Sequence, residues 1–219
     1  MGKAVVASTW GSIFGESYRL MGMEGILTAM ALYPEVARAL IGHLTDFFLE
    51  VERRAFQACE GLIDLSYHGN DFGSQKALLF NRGMFQKFFA PNIKRLIDQV
   101  HSYGLRAMYH SCGSVREVIP DLIACGVDVL DPVQITAAGM DAKELKEHFG
   151  GQLCFHGCIS AQKVLPLGTP EQVREHVREV CEIMRVGGGY IFAPDQAIVE
   201  GTPPENVLAM YDEIERLGY

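Results

Sequence analysis

The chain has 219 residues, 48% hydrophobic and 21% charged, with 23 glycines, a globular composition with enough apolar mass for one sizeable core and read as a single domain over 1–219. A formal charge of -8 gives no electrostatic handle for nucleic acid or an anionic membrane, so neither is expected as a partner. No apolar run approaches the roughly 20 residues of a membrane span, Met1-Gly2-Lys3 does not open a secretory signal, and six scattered cysteines suit reduced thiols or metal ligands, so a cytoplasmic protein is expected.

In chain order, Ala4 to Ser8 reads as a first strand, followed by a loop through Trp10 and Gly11 and a helical patch from Gly22 to Leu32. Pro34 fits the first turn of a long helix, along which Val36, Ala37, Leu40, Ile41, Leu44, Phe47, Phe48 and Val51 keep the spacing of one buried face until Gly61. Leu62 to Ser66 is a second strand, and the polar, glycine-broken run from His68 to Gln75 is its exit loop. A helix over about 83–103 is divided or kinked by Pro91. Leu105 to His110 is the third strand, Val115 to Ala124 a helix and Val127 to Leu130 the fourth strand. Asp141 caps a helix to Phe149, Leu153 to His156 is the fifth strand, and Thr169-Pro170-Glu171-Gln172 opens a helix to Val186. Tyr190 to Ala193 is the sixth strand, after which Pro204 starts the last helix.

Strands alternating with helices predict an α/β fold with a parallel sheet. A closed (β/α)₈ barrel takes eight strands over about 250 residues, and here about six βα units are present. Either two units are missing, a partner chain supplies them, or the sheet stays open.

In such folds the chemistry sits at the carboxyl ends of the strands. The polar residues expected there are Tyr67, His68 and Asp71 after the second strand, His110 and Cys112 after the third, and Asp131 and Gln134 after the fourth. His156 and Cys158 follow the fifth, Asp195 and Gln196 the sixth. Two residues apart on a strand face the same way, so His110 and Cys112 present an imidazole and a thiol to one point. The spacing recurs at His156 and Cys158, on an alternate strand, so the pairs can converge on a zinc ion, which prefers nitrogen and thiolate ligands. Against this stand simpler roles: Cys59, Cys125 and Cys181 read as packing, His156 equally as a core histidine, and Asp71, Asp131 and Gln134 as turn residues. Gly187 to Gly189 precede a strand rather than follow one, so they form a turn and not a dinucleotide loop.

The runs HSCGSV (110–115), GVDVLDPVQ (126–134), LPLGTPEQV (165–173), GGGYIFAP (187–194) and PENV (204–207) resemble the uroporphyrinogen decarboxylase superfamily. The resemblance implies a (β/α)₈ barrel and one of two activities. One is cofactor-free decarboxylation of uroporphyrinogen. The other is zinc-dependent methyl transfer from a corrinoid to a thiol, in which a His-x-Cys pair and a later cysteine hold the metal. His110 and Cys112 match that pair, while the later loop, 193–198, offers no cysteine. Family members read Gly-Gly-Ile-Asp where this chain has Gly157-Cys158-Ile159-Ser160, so Cys158 is the expected third ligand and Asp195 a weaker one. The favoured expectation is therefore a zinc methyltransferase with His110, Cys112 and Cys158 on the metal and Asp71 and His156 catalytic. Tyr67, His68, Asp131, Gln134 and Gln196 line the substrate pocket, and a corrinoid is supplied by a partner protein. The rivals are a metal-free decarboxylase, using Asp71 or His156 as acid, and an inactive partial barrel that binds a ligand or partner. Open sheet edges predict a homodimer or a second chain completing the barrel.

Overall fold

The computed structural model describes residues 2–218. The elements run β1 (Val6–Trp10), α1 (Ile13–Met21), α2 (Met23–Leu32), α3 (Pro34–Ala58), β2 (Leu65–Gly69) and α4 (Arg82–Met84). After a π turn at Phe85–Phe89 come α5 (Ala90–Ser102), β3 (Arg106–His110), a 3-10 turn at Arg116–Val118, α6 (Ile119–Ala124), β4 (Val129–Val133) and α7 (Ala142–Phe149). The chain continues through β5 (Cys154–Ile159), α8 (Val164–Leu167), α9 (Pro170–Met184), β6 (Tyr190–Pro194) and α10 (Pro204–Arg216). This is the expected alternation of six βα units. Among the described residues no helix is long and apolar enough to cross a membrane.

All neighbouring strands pair in parallel, in the order β1-β2-β3-β4-β5-β6. Each of β1 and β6 pairs on one side alone, so among the described residues the sheet is open. The outer face, carrying Ala107, Tyr109, Leu130 and Phe155, is fully buried under helices. The inner face is not packed in the same way: Val6, Trp10 and Ile191 stay 40–49% exposed.

The caps and breaks follow local chemistry. Asp141 accepts from Glu144 N at 2.9 Å, and Thr169 and Gln172 form a reciprocal capping box. Pro91 lacks an N–H, and the helix read across it is indeed divided, with the π turn before it and α5 starting afresh at Ala90. Phe85 and Phe89 from that turn join Phe14 and Phe72 in a buried aromatic cluster, where each side chain contributes about 1.5–3 kcal/mol of burial. Helix α1 lies outside the sequence expectation, and Gly15 inside it, a poor helix former, hides its periodicity. Strand boundaries shift too. β1 and β2 lie two to three residues later than expected, because residues 59–63 turn around Gly61 (φ +74°) and the Asp64 carboxylate receives Val5 N at 2.8 Å, which sets Val6 opposite Leu65.

Candidate metal centre

Strand alternation decides what faces the inside of the sheet. Tyr67 on β2, His110 on β3, Asp131 on β4 and His156 on β5 all point inward, with Asp131 in register with His110. Asp131 is the hub. Its Oδ2 lies 2.9 Å from His110 Nδ1 and accepts from the Tyr67 hydroxyl, while its Oδ1 lies 2.5 Å from His156 Nδ1. Burial alone would raise its pKa, but hydrogen bonds from His110, His156 and Tyr67 outweigh that and hold the carboxyl well below the usual range. An ionised carboxylate only accepts, so both imidazoles donate through Nδ1, and their Nε2 atoms are the ones left for other partners.

His110 Nε2 lies 3.2 Å from Asp71 Oδ1, and Cys112 Sγ donates to the same oxygen at 3.1 Å. The candidate ligand atoms of Asp71, His110 and Cys112 fall within 4.8 Å of one another. Burial pulls the His110 pKa down, yet hydrogen bonds to Asp131, Asp71 and Cys112 together push it up to about 11. The ring is an imidazolium clamped between two carboxylates. The hydrogen bond from His110 is also the main cause that holds the Asp71 carboxyl below its ordinary pKa. Protons thus sit where a cation would be bound. One nitrogen, one sulfur and one carboxylate oxygen, with Asp71 half-exposed, form a donor set that fits a catalytic zinc with a position left for an exchangeable ligand.

Beside this cluster lies a cleft of about 260 Å³ lined by Tyr67, His110, Asp131, His156, Pro194 and Gln196. Larger hollows, of about 540 and 630 Å³, lie between α7 and α9 and along α2, and neither touches the cluster. Trp10 walls the cluster on the β1 side. Its ring centroid is 5.3 Å from that of His110 and 5.2 Å from that of Tyr67, and it crosses Gly69 so closely that a Cβ there would meet the indole at 2.7 Å. Trp10 holds φ +63°, a left-handed conformation that costs a non-glycine residue roughly 1–2 kcal/mol.

A sequence profile of the uroporphyrinogen decarboxylase family (URO-D) matches residues 1–217. The chain belongs to the uroporphyrinogen decarboxylase family. Within curated proteins it is similar to the methylated-thiol–coenzyme M methyltransferase of Methanosarcina mazei, 25% identical over 211 residues, covering 90% of this chain and 52% of the relative. It is also similar to the methylcobamide:CoM methyltransferase MtaA of Methanosarcina barkeri, 26% identical over 132 residues, covering 60% of this chain and 36% of the relative. Among solved structures, a methyltransferase from Methanosarcina mazei superposes over 100% of this chain and 61% of its own, with a TM-score of 0.77 at 18% identity. A dihydropteroate synthase of Xanthomonas albilineans shares the fold over 80% of this chain and 61% of its own, with a TM-score of 0.51 at 16% identity. The fold is that of the TIM-barrel family, with six βα units in this chain. The chain spans about half the length, or less, of the curated relatives it matches.

In this uroporphyrinogen decarboxylase family chain, not every residue expected at the site is there. Cys158 is not beside His110 and Cys112: Gly157 (φ +108°) and Cys158 (φ +71°) break the strand alternation, and the thiol is fully buried near Asp195 and Cys181, where burial pushes its pKa up. Asp195 is buried with it, its Oδ1 accepting from Ala161 N at 2.9 Å. His68 sits on the outer face of β2, fully buried, with Nδ1 3.2 Å from Glu52 Oε1 on α3, so it cannot meet a substrate inside the sheet. Gln134 is 1% exposed and holds loop backbone. Gln196 lines the cleft, as do Tyr67, Asp131 and His156. Asp71, expected as an acid or base, joins the ligand cluster in place of Cys158. From the sequence Trp10 reads only as a loop residue. A lone tryptophan before a glycine at a strand end was the one available signal.

Proposed function

We propose that the protein is a zinc-dependent methyltransferase that passes a methyl group from a corrinoid on a partner protein to a small thiol. The observation that carries this reading is the convergence of Asp71, His110 and Cys112 beside the cleft holding His156 and Tyr67. The methyltransferase relatives support it. When bound by these three residues, zinc would supply the Lewis acidity that keeps an acceptor thiol deprotonated at neutral pH. The chain's own residues do the rest. Asp131 orients the His110 ring, and His156, with Nδ1 committed to Asp131, keeps Nε2 as an acceptor for a proton leaving the thiol. Tyr67 and Trp10 give the acceptor an apolar wall. Pairing of β1 and β6 with a second copy or another chain would enclose the reaction.

The test is metal analysis of freshly purified protein together with a methyl-transfer assay using methylcobalamin and either coenzyme M or 2-mercaptoethanol. About one zinc per chain, lost in Cys112→Ala along with thiol methylation, is the expected outcome. Metal-free protein that consumes uroporphyrinogen would replace this reading with the decarboxylase one.

A further inference from the structure

We propose that Gln134 is a positioning residue for the metal centre, holding the peptide that aims Cys112 and thereby setting metal affinity. The inference rests on the metal-centre reading above and assigns Gln134 a place behind the ligands instead of against the substrate. The ligands come from two loops, Asp71 after β2 and Cys112 after β3. These loops meet backbone against backbone. A Cβ on Gly73 would lie 2.8 Å from Cys112 O, and one on Gly113 (φ +83°) would lie 2.6 Å from Ser74 O. Ser114 N donates to Ser74 O at 2.8 Å, and Phe72 N donates to Ser111 Oγ at 3.2 Å.

The loop after β4 locks both. Gln134 Oε1 accepts from Gly113 N at 2.8 Å and from Gln75 Nε2 at 3.1 Å, so one oxygen ties the β3 loop to the β2 loop. Ala138 N donates to Gln75 O at 3.0 Å, and Ser114 Oγ donates to Ala138 O at 2.7 Å, closing the stitch. The Gly113 amide belongs to the peptide that leaves Cys112, so holding its N–H, together with the Ser114 N and Ser111 Oγ bonds on either side, restrains the backbone that aims the cysteine. Gln134 itself is 1% exposed. Both bonds to its oxygen come from within the chain, so that oxygen is already engaged. Without the acceptor, the buried Gly113 N–H loses its partner and the loop must move to find water.

The experiment compares the full chain with Gln134→Met, which keeps the volume and removes the acceptor, and Gln134→Glu, which restores an oxygen. Three readouts are taken: zinc affinity by chelator competition, the thiolate-to-metal absorption of the cobalt(II) form, and the alkylation rate of Cys112 by iodoacetamide in metal-free protein. Gln134→Met should bind zinc about 10–100-fold more weakly, shift the cobalt band and alkylate several-fold faster at Cys112, with Gln134→Glu returning towards the unmodified chain. Gln134→Met matching the unmodified chain in all three overturns the proposal. If the unmodified chain takes up neither zinc nor cobalt, the metal-centre reading fails, and the alkylation rate alone decides the role of Gln134, an unchanged rate overturning it. Should Gln134→Met not fold, Gln134→Asn, whose shorter side chain withdraws the oxygen, is put through the same readouts with the same two outcomes.

Discussion

His110 donates its Nδ1–H in a hydrogen bond to Asp131, 2.9 Å away, and so turns Nε2 towards Asp71 and Cys112. Replacing the carboxylate by an amide removes the ionised acceptor that selects this ring orientation. Asp131→Asn should therefore weaken zinc binding about 10–100-fold, and chelator competition measures it. An unchanged affinity would mean that the strand alone orients the ring.

The His110 pKa of about 11 has a definite sign for metal uptake. Zinc needs the Nε2 lone pair, so below pH 11 a proton must leave for the metal to enter. This residue alone should tighten apparent zinc affinity about tenfold per pH unit between pH 6 and 8, and zinc added to unbuffered protein should acidify it. A pH-independent affinity over that range would show that no proton on His110 has to leave for the metal to enter.

Trp10 is the chain's single tryptophan, so its emission reports on the wall of the site. Gly69→Ala places a methyl group 2.7 Å from the indole and should expel it, giving red-shifted fluorescence and a response to zinc that differs from that of the unmodified chain. An unaltered spectrum would mean that the ring does not rest on Gly69 in solution.

The buried pair Glu52 and His68 makes stability depend on pH in two opposed ways. Burial raises Glu52 from 4.5 to about 7, so its share of stability is present below pH 4.5 and is lost as pH rises to 7. Burial lowers His68 from 6.5 to about 4, so its share is present above pH 6.5 and is lost as pH falls to 4. Between 4.5 and 6.5 the two slopes cancel. Glu52→Gln removes the first slope, so the variant should gain stability relative to the unmodified chain as pH rises from 4.5 to 7, as urea denaturation at pH 5 and 7.5 would measure. A constant difference between the two proteins would show that Glu52 keeps an ordinary pKa.

The strand-helix alternation and the inward-facing His110 and Asp131 were legible because a parallel sheet puts polar residues at strand ends in a regular place. Cys158 was misplaced for the converse reason. The His-x-Cys spacing assumes unbroken alternation, and left-handed backbone at Gly157 and Cys158 turns the thiol into the helix layer. His68 failed because β2 begins at Leu65 rather than at Leu62, so the strand runs on through His68 and Gly69, and within it His68 takes the outer face, opposite to Tyr67. Gln134 looked like a pocket residue from its position after β4. Only the three-dimensional meeting of three loops shows that its oxygen is already engaged.

Phe72 anchors Asp71, the candidate ligand of the loop after β2. The ring is fully buried, with ring centroids of Phe85, Phe89 and Phe14 at 5.0, 5.2 and 5.9 Å, and it follows the carboxylate directly in the chain. Asp71 is half-exposed yet moored to the interior. A solvent-facing acid that cannot drift without unseating an aromatic anchor is ready before any ion arrives, so capture should proceed as docking onto a rigid platform and not as ordering of a slack strand of chain.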